Sequence, residues 1–462
     1  MRILLIVYDN DSYMHAFPSA IAAIAAILLR HGYEVEIYNQ AVNHYPESHL
    51  QEYLDNNKFD VVGLSFIAGY YEYRKALKIS RAINDSKNRP FYIIGGHGPS
   101  PEPDYFLRKT GANVVVIGEG EETIIELLEA YKNKRDFHQV KGIAFMDHDT
   151  CVINERRPLI KNIDELPMPA YKLFPIEYYR LGRPPHSTNA DFMMAVLSGR
   201  GCSFRCNFCY RMDEGLRARS NESIIDEIQL LNRDYRITYI SFIDELLMSS
   251  VERTLSLCND FIKRDLKVKW ECNGRLNFAK KEVLLMMKKA GCVFINYGIE
   301  SMDDQVLKNM NKALTTRLIV KGVEATLDAG ITPGLNIIFG NIGESRKTLQ
   351  KGVEFLLKYD SGASMRTIRP VTPYPGSDLY YYAIKHGLLK GVADFYENKH
   401  VNSDLLSVNF TDMSDEEFYA AIYEANSVLI KHYFTKRNES YSNQLEKLYI
   451  HKDPAFRGFR QI

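Results

Sequence analysis

The chain has 462 residues, of which 45% are hydrophobic, so it is long enough for two or three domains with sizeable cores. Lysine plus arginine and aspartate plus glutamate number 58 each, and this balance argues against nucleic acid or an anionic membrane as a partner. Seven cysteines in so large a chain do not make a secreted disulfide framework, and no apolar run reaches the length of a membrane span, so we expect a cytoplasmic protein.

The first 135 residues alternate short β-branched runs with amphipathic or apolar helical segments. The opening run from Met1 to Tyr8 is too short for a signal peptide and leads directly into acidic residues, so it predicts a strand. Strands and helices in alternation predict a parallel sheet covered on both faces, a doubly wound domain of the flavodoxin or Rossmann type. The predicted strands are Ile3–Tyr8, Val35–Tyr38, Val61–Phe66, Tyr92–Gly96 and Val114–Ile117, and the predicted helices are Ala20–Arg30, Glu72–Asn84 and Glu121–Lys132.

Glycines fall at the carboxyl ends of three of these strands, in the runs Gly63-Leu-Ser65, Gly95-Gly-His97-Gly98 and Gly118-Glu-Gly120-Glu121. Ligands of doubly wound sheets bind beyond the carboxyl ends of the strands, and glycine there lets the backbone approach a ligand closely. The turn after the first strand, from Asp9 to His15, lacks the Gly-x-Gly-x-x-Gly pattern, which argues against a dinucleotide site.

Residues 136–190 predict a connector with a hairpin over Gly142–Asn154 and two proline-containing runs, Leu166–Tyr171 and Gly182–Pro185. Residues 191–376 then predict six strand–helix units, a partial (βα)6 barrel rather than the closed eight-stranded form. Residues 377–462 predict a helical region, with helices Asp378–His386 and Asp415–Tyr433, that either caps the barrel or packs on it. The predicted barrel strands are Met193–Leu197, Tyr239–Ile243, Val268–Glu271, Phe294–Gly298, Gly334–Phe339 and Met365–Val371.

Three cysteines follow the first barrel strand, in the run Ser198-Gly-Arg-Gly-Cys202-Ser-Phe-Arg-Cys206-Asn-Phe-Cys209-Tyr210. A loop that supplies three thiolates suits a cubane iron–sulfur cluster with one iron left open to a small chelating ligand. A structural zinc site would need a fourth ligand, and no second cysteine pair lies nearby. A zinc site and three unrelated buried thiols are the alternatives.

The pattern Cys-x-x-x-Cys-x-aromatic-Cys, met by Cys202, Cys206, Phe208 and Cys209, resembles the signature of the radical S-adenosylmethionine (SAM) enzymes. The resemblance implies a [4Fe-4S] cluster whose open iron chelates SAM, and a 5′-deoxyadenosyl radical formed by one-electron cleavage of SAM. It also implies a reducing partner such as flavodoxin or ferredoxin.

The first domain resembles the cobalamin (B12)-binding module that precedes the barrel in one large subfamily of these enzymes, on Gly95-Gly-His97 and the run Gly118–Thr123. Cobalamin modules that bind cobalt through a protein histidine carry Asp-x-His-x-x-Gly after the first strand, and this chain lacks that motif. We therefore expect His15 to be a solvated or core histidine, and cobalamin to bind without a protein histidine on cobalt; loss of cobalamin binding is the alternative. The resemblance implies cobalamin contacts from Ser65, Gly95, Gly96, His97, Gly118, Glu119 and Gly120.

The strand ends of the barrel offer further SAM contacts. Asp244 and Glu245 resemble the subfamily's paired acids and can accept the SAM ammonium, although a helix N-terminus also favours acids. Arg275 can bind the SAM carboxylate bidentately or pair with a barrel acid. Glu300 matches the family's acid that accepts hydrogen bonds from the ribose hydroxyls.

Three more positions complete the predicted site. Phe208 is expected near the adenine, and Gly340 is expected to contact the adenine through its backbone. The Gly340-Asn-Ile-Gly-Glu344 turn replaces a Gly-Phe-Pro-Gly-Glu-like turn of relatives, so its rigidity differs. Cys272 faces either the core or the cavity and is the one candidate for a catalytic hydrogen-atom donor.

Together the resemblances imply a cobalamin-dependent radical SAM enzyme. The expected reaction is methyl transfer to an unactivated carbon or phosphorus centre of a small-molecule or natural-product substrate, with one SAM as methyl source by way of cobalamin and a second as radical source. The alternative is an oxidative cyclisation or ring rearrangement, as in the anaerobic cyclase of chlorophyll synthesis. A non-enzymatic cobalamin or cluster sensor is disfavoured because it would not need acids to position SAM. A methylthiotransferase is disfavoured because it needs cysteines to hold a second iron–sulfur cluster, and the first 150 residues contain no cysteine.

Overall fold

Two large sheets organise the chain, a mixed first sheet and a parallel second one, and the computed structural model describes residues 1–11, 15–212, 214–360, 362 and 364–455. The first sheet has seven strands in the order β2-β1-β3-β4-β5-β6-β7. Its strands are β1 Arg2–Val7, β2 Glu34–Asn39, β3 Val61–Ser65, β4 Phe91–Gly95, β5 Val114–Val116, β6 Ile143–Asp147 and β7 Thr150–Ile153.

Helices cover both faces of this sheet, as the alternation of strands and helices predicts. Ile3 and Leu5 of β1 pack into one buried cluster, whereas Leu4 and Ile6 pack into the other. Because successive side chains of a strand point to opposite faces, an apolar run of this kind needs cover on both sides. The helices are α1 Ser19–Arg30, α2 Gln40–Asn43, α3 Glu47–Asn56, α4 Tyr70–Asn84, α5 Pro103–Thr110 and α6 Glu121–Lys132.

The hairpin of β6 and β7 differs in its assignment from the sequence prediction. The sequence predicts the hairpin within the connector, whereas in the structure β6 pairs antiparallel with β5, so the hairpin extends the first sheet. A 3-10 turn at Phe137–Gln139 precedes the hairpin. After the hairpin the chain runs through 3-10 turns at Ile163–Glu165 and Tyr171–Leu173 and the short helix α7 Ile176–Tyr179 before it enters the second sheet.

The second sheet is the predicted partial barrel of six parallel strands, in the order β15-β14-β13-β12-β11-β8. A separate antiparallel hairpin of β9 and β10, which the sequence did not predict, carries the start of the cysteine run. The strands are β8 Met193–Val196, β9 Gly199–Cys202, β10 Gly215–Ala218, β11 Tyr239–Phe242, β12 Lys269–Gly274, β13 Cys292–Glu300, β14 Thr332–Phe339 and β15 Arg369–Pro370. The helices are α8 Asn221–Tyr235, α9 Val251–Lys263, α10 Lys281–Lys289, α11 Asp304–Asn309, α12 Thr316–Asp328 and α13 Arg346–Tyr359.

The C-terminal region is helical, as predicted, and contacts both sheets' domains. The ring of Tyr396 stacks on Tyr73 of α4 at 4.5 Å, and the ring of Phe418 stacks on Phe339 of β14 at 4.9 Å, measured between centroids. The predicted region ends at residue 462, but residues 456–462 lie outside the described part of the chain. Its elements are α14 Asp378–Lys385, α15 Val392–Asp394, a π-helical turn Phe395–Lys399, α16 Asp415–Leu445 and a second π-helical turn Glu446–Ile450.

Among the residues that the structure describes, no helix combines the length and the hydrophobicity needed to cross a bilayer.

Candidate functional site

A cavity of about 820 Å³ lies where the carboxyl ends of the two sheets face each other. One wall comes from the first sheet, with β1, β3 and β4, the turn after β5 and helix α1. The other wall comes from the barrel, with the cysteine run and the ends of β11, β12, β13 and β14. In the described part of the chain, no residue of the C-terminal region lines the cavity.

All three cysteines of the run line this cavity. Cys202 ends β9 opposite Gly215, and the Cys209 N–H donates to the Cys206 carbonyl at 3.2 Å, which folds the run into a tight loop. Gly201 has φ +83°, and a Cβ there would collide with the Gly215 carbonyl, so the hairpin requires glycine at this position.

The thiols are close enough to influence one another. Burial, and then the neighbouring Cys206, raise the pKa of Cys209 to about 12. Without a metal, each negative charge makes ionisation of the neighbouring thiol less favourable. A shared metal centre compensates these charges, so the thiols bind it as thiolates. The loop therefore offers three sulfur ligands at one end of the cavity, which fits an iron–sulfur cluster with an open iron.

Arg275 is buried beside the cysteine loop. Its Nη1 lies 3.8 Å from the Cys206 sulfur, its guanidinium carbon lies 3.5 Å from the centroid of the Phe204 ring, and its Nη2 donates to the Lys312 carbonyl. A cation next to a thiolate favours its charge. The guanidinium thus holds the cysteine loop, and the predicted contact with the SAM carboxylate stays a prediction.

Glu300 and Lys312 form a buried ion pair in the cavity wall, with Lys312 Nζ 2.9 Å from Glu300 Oε1. Glu300 has φ +70° at a register shift of β13, a strained backbone for a residue with a side chain. Lys312 is a residue that the sequence analysis missed. It follows α11 in a turn without a motif, and only the folded structure brings it to Glu300.

The two acids after β11 point in different directions. Glu245 lines the cavity and accepts a hydrogen bond from the Gly201 N–H at 2.9 Å. Asp244 is 1% exposed and accepts from both the backbone and the hydroxyl of Ser198, so its carboxylate faces the start of the cysteine run. Burial raises the pKa of Asp244 to about 6. Of the two predicted acceptors for the SAM ammonium, the geometry favours Glu245.

Of the two remaining predicted SAM contacts, one lines the cavity and the other does not. Phe208 lines the cavity, with Lys312 Nζ 5.6 Å from the centroid of its ring. Gly340 lies outside the cavity lining. It packs closely against Phe418 of α16, since a Cβ on it would sit 2.8 Å from that ring. Its N–H donates to Glu344 at 2.6 Å. The adenine contact through Gly340 would require this packing to move.

Cys272 faces the helices and not the cavity. It is 2% exposed and belongs to the same buried cluster as Cys258 and Cys292. Burial, and then a hydrogen bond with Cys292, raise the pKa of the Cys272 thiol. Of the two orientations that the sequence left open, the structure has the core one, and this position gives no support to a role as hydrogen-atom donor.

A row of carboxamides crosses the barrel wall of the cavity, and the sequence analysis missed it. Asn336 of β14 donates to Asn296 of β13 at 2.7 Å, and Asn296 donates to Asn273 of β12 at 3.0 Å. Asn273 donates in turn to the Asp244 carbonyl at 2.7 Å. The signal was present, because asparagine is disfavoured in the apolar strands of a parallel sheet.

All seven residues with predicted cobalamin contacts line the cavity: Ser65, Gly95, Gly96, His97, Gly118, Glu119 and Gly120. Gly96 has φ +96°, and a Cβ on it would lie 2.7 Å from both the Phe66 carbonyl and the Ser65 hydroxyl. Glycine at this position therefore lets the turn after β4 pack closely against the end of β3. The ring of His97 meets Tyr210, next to the cysteine run, edge-on at 5.9 Å.

Glu119 also joins the two walls. Its carboxylate accepts from Arg200 at 2.7 Å and from Arg217 at 2.8 Å, both on the cysteine hairpin. Arg200 donates further to Glu121 at 2.5 Å. Burial opposes ionisation, but the hydrogen bonds from Arg217 and Arg200 lower the pKa of Glu119 below its ordinary value. This ion-pair network fixes the cysteine run against the first sheet.

His15 is absent from the cavity lining, within the residues described. It lies instead beside Asp9, with Nε2 3.2 Å from Oδ1, and its side chain is 7% exposed. This position agrees with the expectation of a core histidine.

Two family descriptions match the chain. Residues 7–128 match the B12 binding domain, and residues 196–356 match the Radical SAM superfamily. An uncharacterized methyltransferase of Pyrococcus horikoshii is 26% identical over 452 residues, which cover 94% of this chain and 95% of that protein. The anaerobic magnesium-protoporphyrin IX monomethyl ester cyclase of Rubrivivax gelatinosus is 27% identical over 374 residues, 79% of this chain but 65% of the cyclase.

Solved structures share the architecture. TsrM from Kitasatospora setae, a radical S-adenosylmethionine methyltransferase solved with cobalamin and a [4Fe-4S] cluster, superposes with a TM-score of 0.70 at 18% identity, over 83% of this chain and 78% of that one. The cobalamin-dependent S-adenosylmethionine radical enzyme OxsB superposes with a TM-score of 0.71 at 16% identity, over 98% of this chain and 75% of that one. The two matches together show a B12 binding domain followed by a Radical SAM superfamily domain in this chain.

Proposed function

We propose that the protein is a cobalamin-dependent radical SAM methyltransferase that acts on an unactivated carbon or phosphorus centre of a small molecule. One observation carries the proposal. A single cavity is lined on one side by Cys202, Cys206 and Cys209 and on the other by the strand-end turns that resemble a cobalamin module. A cluster, SAM and cobalamin held in these positions would share one space with the substrate.

When bound, the cluster supplies the electron that cleaves SAM, and the cobalamin carries the methyl group. In this assignment the three thiolates would hold the cluster, and the Arg275 guanidinium, 3.8 Å from the Cys206 sulfur, would stabilise the negative charge of that thiolate. Glu245 and Glu300 supply acceptors at the cavity wall for the ammonium and the ribose hydroxyls of SAM.

The rest of the wall is suited to radical chemistry. Apolar side chains of the first sheet and α1, including Ile21, Ile24 and Ile67, face the cavity and reduce the access of water. The row of Asn273, Asn296 and Asn336 supplies neutral hydrogen-bonding groups opposite. A substrate with hydroxyl, amide or similar groups would be oriented by these carboxamides without a change of net charge.

Relatives described as methyltransferases support methyl transfer. The relative that spans nearly the whole chain, from Pyrococcus horikoshii, is described as a methyltransferase. The cytidylyl-2-hydroxyethylphosphonate methyltransferase of Streptomyces wedmorensis is 23% identical over 84% of this chain. Cyclisation is the second candidate, because the Rubrivivax gelatinosus cyclase is 27% identical over 79% of this chain.

The proposal includes a flavodoxin- or ferredoxin-like electron donor, because the cluster must be reduced to cleave SAM, and a location in the cytoplasm. The cofactor assignment is tested by anaerobic reconstitution with iron, sulfide and hydroxocobalamin, followed by counts of bound iron and cobalt. We expect about four irons and one cobalamin per chain. A variant with serine at Cys202, Cys206 and Cys209 should lose the iron and keep the cobalamin, whereas Cys151→Ser, outside the cavity, should keep both. Equal iron in the two variants would contradict the assignment.

A further inference from the structure

Asp9, His15 and His44 meet at the edge of the first sheet, outside the cavity. Asp9 follows β1, His15 precedes α1, and His44 follows α2. Asp9 Oδ1 lies 3.2 Å from His15 Nε2, and Asp9 Oδ2 lies 2.7 Å from His44 Nδ1. The three ligating atoms lie within 4.8 Å of one another.

Two of the three side chains, those of Asp9 and His15, are buried, and the third, that of His44, is exposed to solvent. The side chains of Asp9 and His15 are 6% and 7% exposed, whereas that of His44 is 51% exposed. His44 has φ +52°, in the left-handed region, and this backbone directs its ring towards Asp9. An ion could therefore enter past His44 and be held by the two buried groups.

The charges at the cluster favour a cation. Asp9 accepts a hydrogen bond from the Asp11 N–H at 2.8 Å, and its other partners are the two imidazoles. No lysine or arginine among the described residues forms an ion pair with it. A buried carboxylate without a permanent cationic partner is costly, and a divalent ion would neutralise it.

We propose that Asp9, His15 and His44 bind a divalent transition-metal ion, with Zn²⁺ as the best fit and water in the fourth position. Two imidazole nitrogens and one carboxylate oxygen are a ligand set of tetrahedral zinc sites that keep an open position. Bonds of about 2.0–2.2 Å place tetrahedral ligand atoms roughly 3.4 Å apart, so the observed spacing needs only small side-chain rotations. Magnesium and calcium are disfavoured because they prefer oxygen ligands.

Such an ion would act on the segment between β1 and α1. Tyr8 and Pro18, which flank the segment, line the cavity. The His15 N–H also donates to the Tyr178 hydroxyl at 3.3 Å, which links the segment to α7. Metal binding would hold Asp9 and His15 together between these two positions. The three ligands themselves lie outside the cavity lining, so metal binding can be measured separately from the proposed methyl transfer.

The test uses the full chain without an added polyhistidine segment, with its iron–sulfur cluster assembled first so that zinc cannot occupy the cysteines. After dialysis against Zn²⁺, metal analysis should find one zinc per chain. His44→Ala, which changes an exposed side chain, should bind zinc at least about tenfold more weakly. His31→Ala, an exposed histidine at the end of α1, should bind it as the unaltered chain does.

X-ray absorption at the zinc edge identifies the ligands. Nitrogen and oxygen neighbours at about 2.0–2.1 Å are expected, against about 2.3 Å for sulfur. Sulfur neighbours, equal zinc in His44→Ala, or no retained zinc would each overturn the proposal, and the last would leave Asp9 as a hydrogen-bond acceptor for two histidines. None of these outcomes depends on methyl transfer, so the two proposals fail separately.

Discussion

Arg200 donates to Glu119 at 2.7 Å, and this ion pair joins the cysteine hairpin of the barrel to the turn after β5 of the first sheet. Arg200 lies two residues before Cys202 along the chain, and Glu119 lies between two glycines that line the cavity. The loop that would hold the cluster and the loop that would hold the cobalamin are therefore connected by direct contacts.

Glu119→Gln should lower the free energy of unfolding by about 3 kcal/mol, because Arg200 and Arg217 both lose a partly buried anionic partner. The measurement is urea unfolding of the protein without cofactors. Glu122→Gln is the matched control, since Glu122 lies in α6 with its side chain 56% exposed and 3.9 Å from Arg157. The control should change stability by less than about 0.5 kcal/mol. Equal losses would show that the Glu119 network carries no special stability.

Gly96→Ala should weaken cobalamin binding by about tenfold or more. The new Cβ meets the Phe66 carbonyl and the Ser65 hydroxyl at 2.7 Å, so the wall of the cavity must shift. Cobalamin retained after gel filtration, read from its visible absorbance, gives the affinity. Gly32→Ala tests the backbone effect alone, because Gly32 also has positive φ, +76°, but nothing within 4 Å of a Cβ. Full retention by Gly96→Ala would remove this turn from the cobalamin site.

Glu300→Gln should abolish the change that SAM causes in the electron paramagnetic resonance spectrum of the reduced cluster, while iron content stays normal. The physical reason is the loss of a carboxylate that accepts two hydrogen bonds from a diol. Because the variant leaves Lys312 buried without its charge partner, a second variant with Glu300→Gln and Lys312→Met removes both charges. If the double variant still responds to SAM, Glu300 is not a SAM contact. Glu282→Gln in α10 is the control outside the cavity.

Glu344 should make stability depend on pH. Burial raises its pKa from 4.5 to about 8, against the opposing hydrogen bonds from the Asn341 and Gly340 N–H groups. Because the pKa in the folded state lies above that in the unfolded state, its contribution is complete below pH 4.5 and is lost as the pH rises to 8. At about 1.36 kcal/mol per pKa unit, the loss is up to roughly 5 kcal/mol. Between pH 5 and 8, the free energy of unfolding of Glu344→Gln should change less with pH than that of the unaltered protein. If the two proteins show the same dependence on pH, Glu344 is not neutral in the folded state.

Both sheets were predictable from the sequence, because a chain that alternates apolar strands with amphipathic helices folds into one of a small set of architectures, each with a parallel sheet covered by helices. It also predicted the cysteine run and the glycine turns, since their chemistry is local. It did not predict contacts between distant segments. Lys312 meets Glu300, and Arg200 meets Glu119, only after the chain has folded, and the orientation of Cys272 depends on which face of β12 the helices cover. The place of β6 in the first sheet was not predicted for the same reason, since its antiparallel pairing with β5 is a contact formed only in the tertiary structure.

The most direct test of the central claim is anaerobic turnover of the reconstituted protein with SAM and a strong reductant, with and without hydroxocobalamin. Mass spectrometry counts 5′-deoxyadenosine and S-adenosylhomocysteine. A methyltransferase that uses both cofactors in one cavity should give both products, and S-adenosylhomocysteine should require cobalamin. If 5′-deoxyadenosine appears alone under both conditions, methyl transfer is contradicted and cyclisation or rearrangement takes its place.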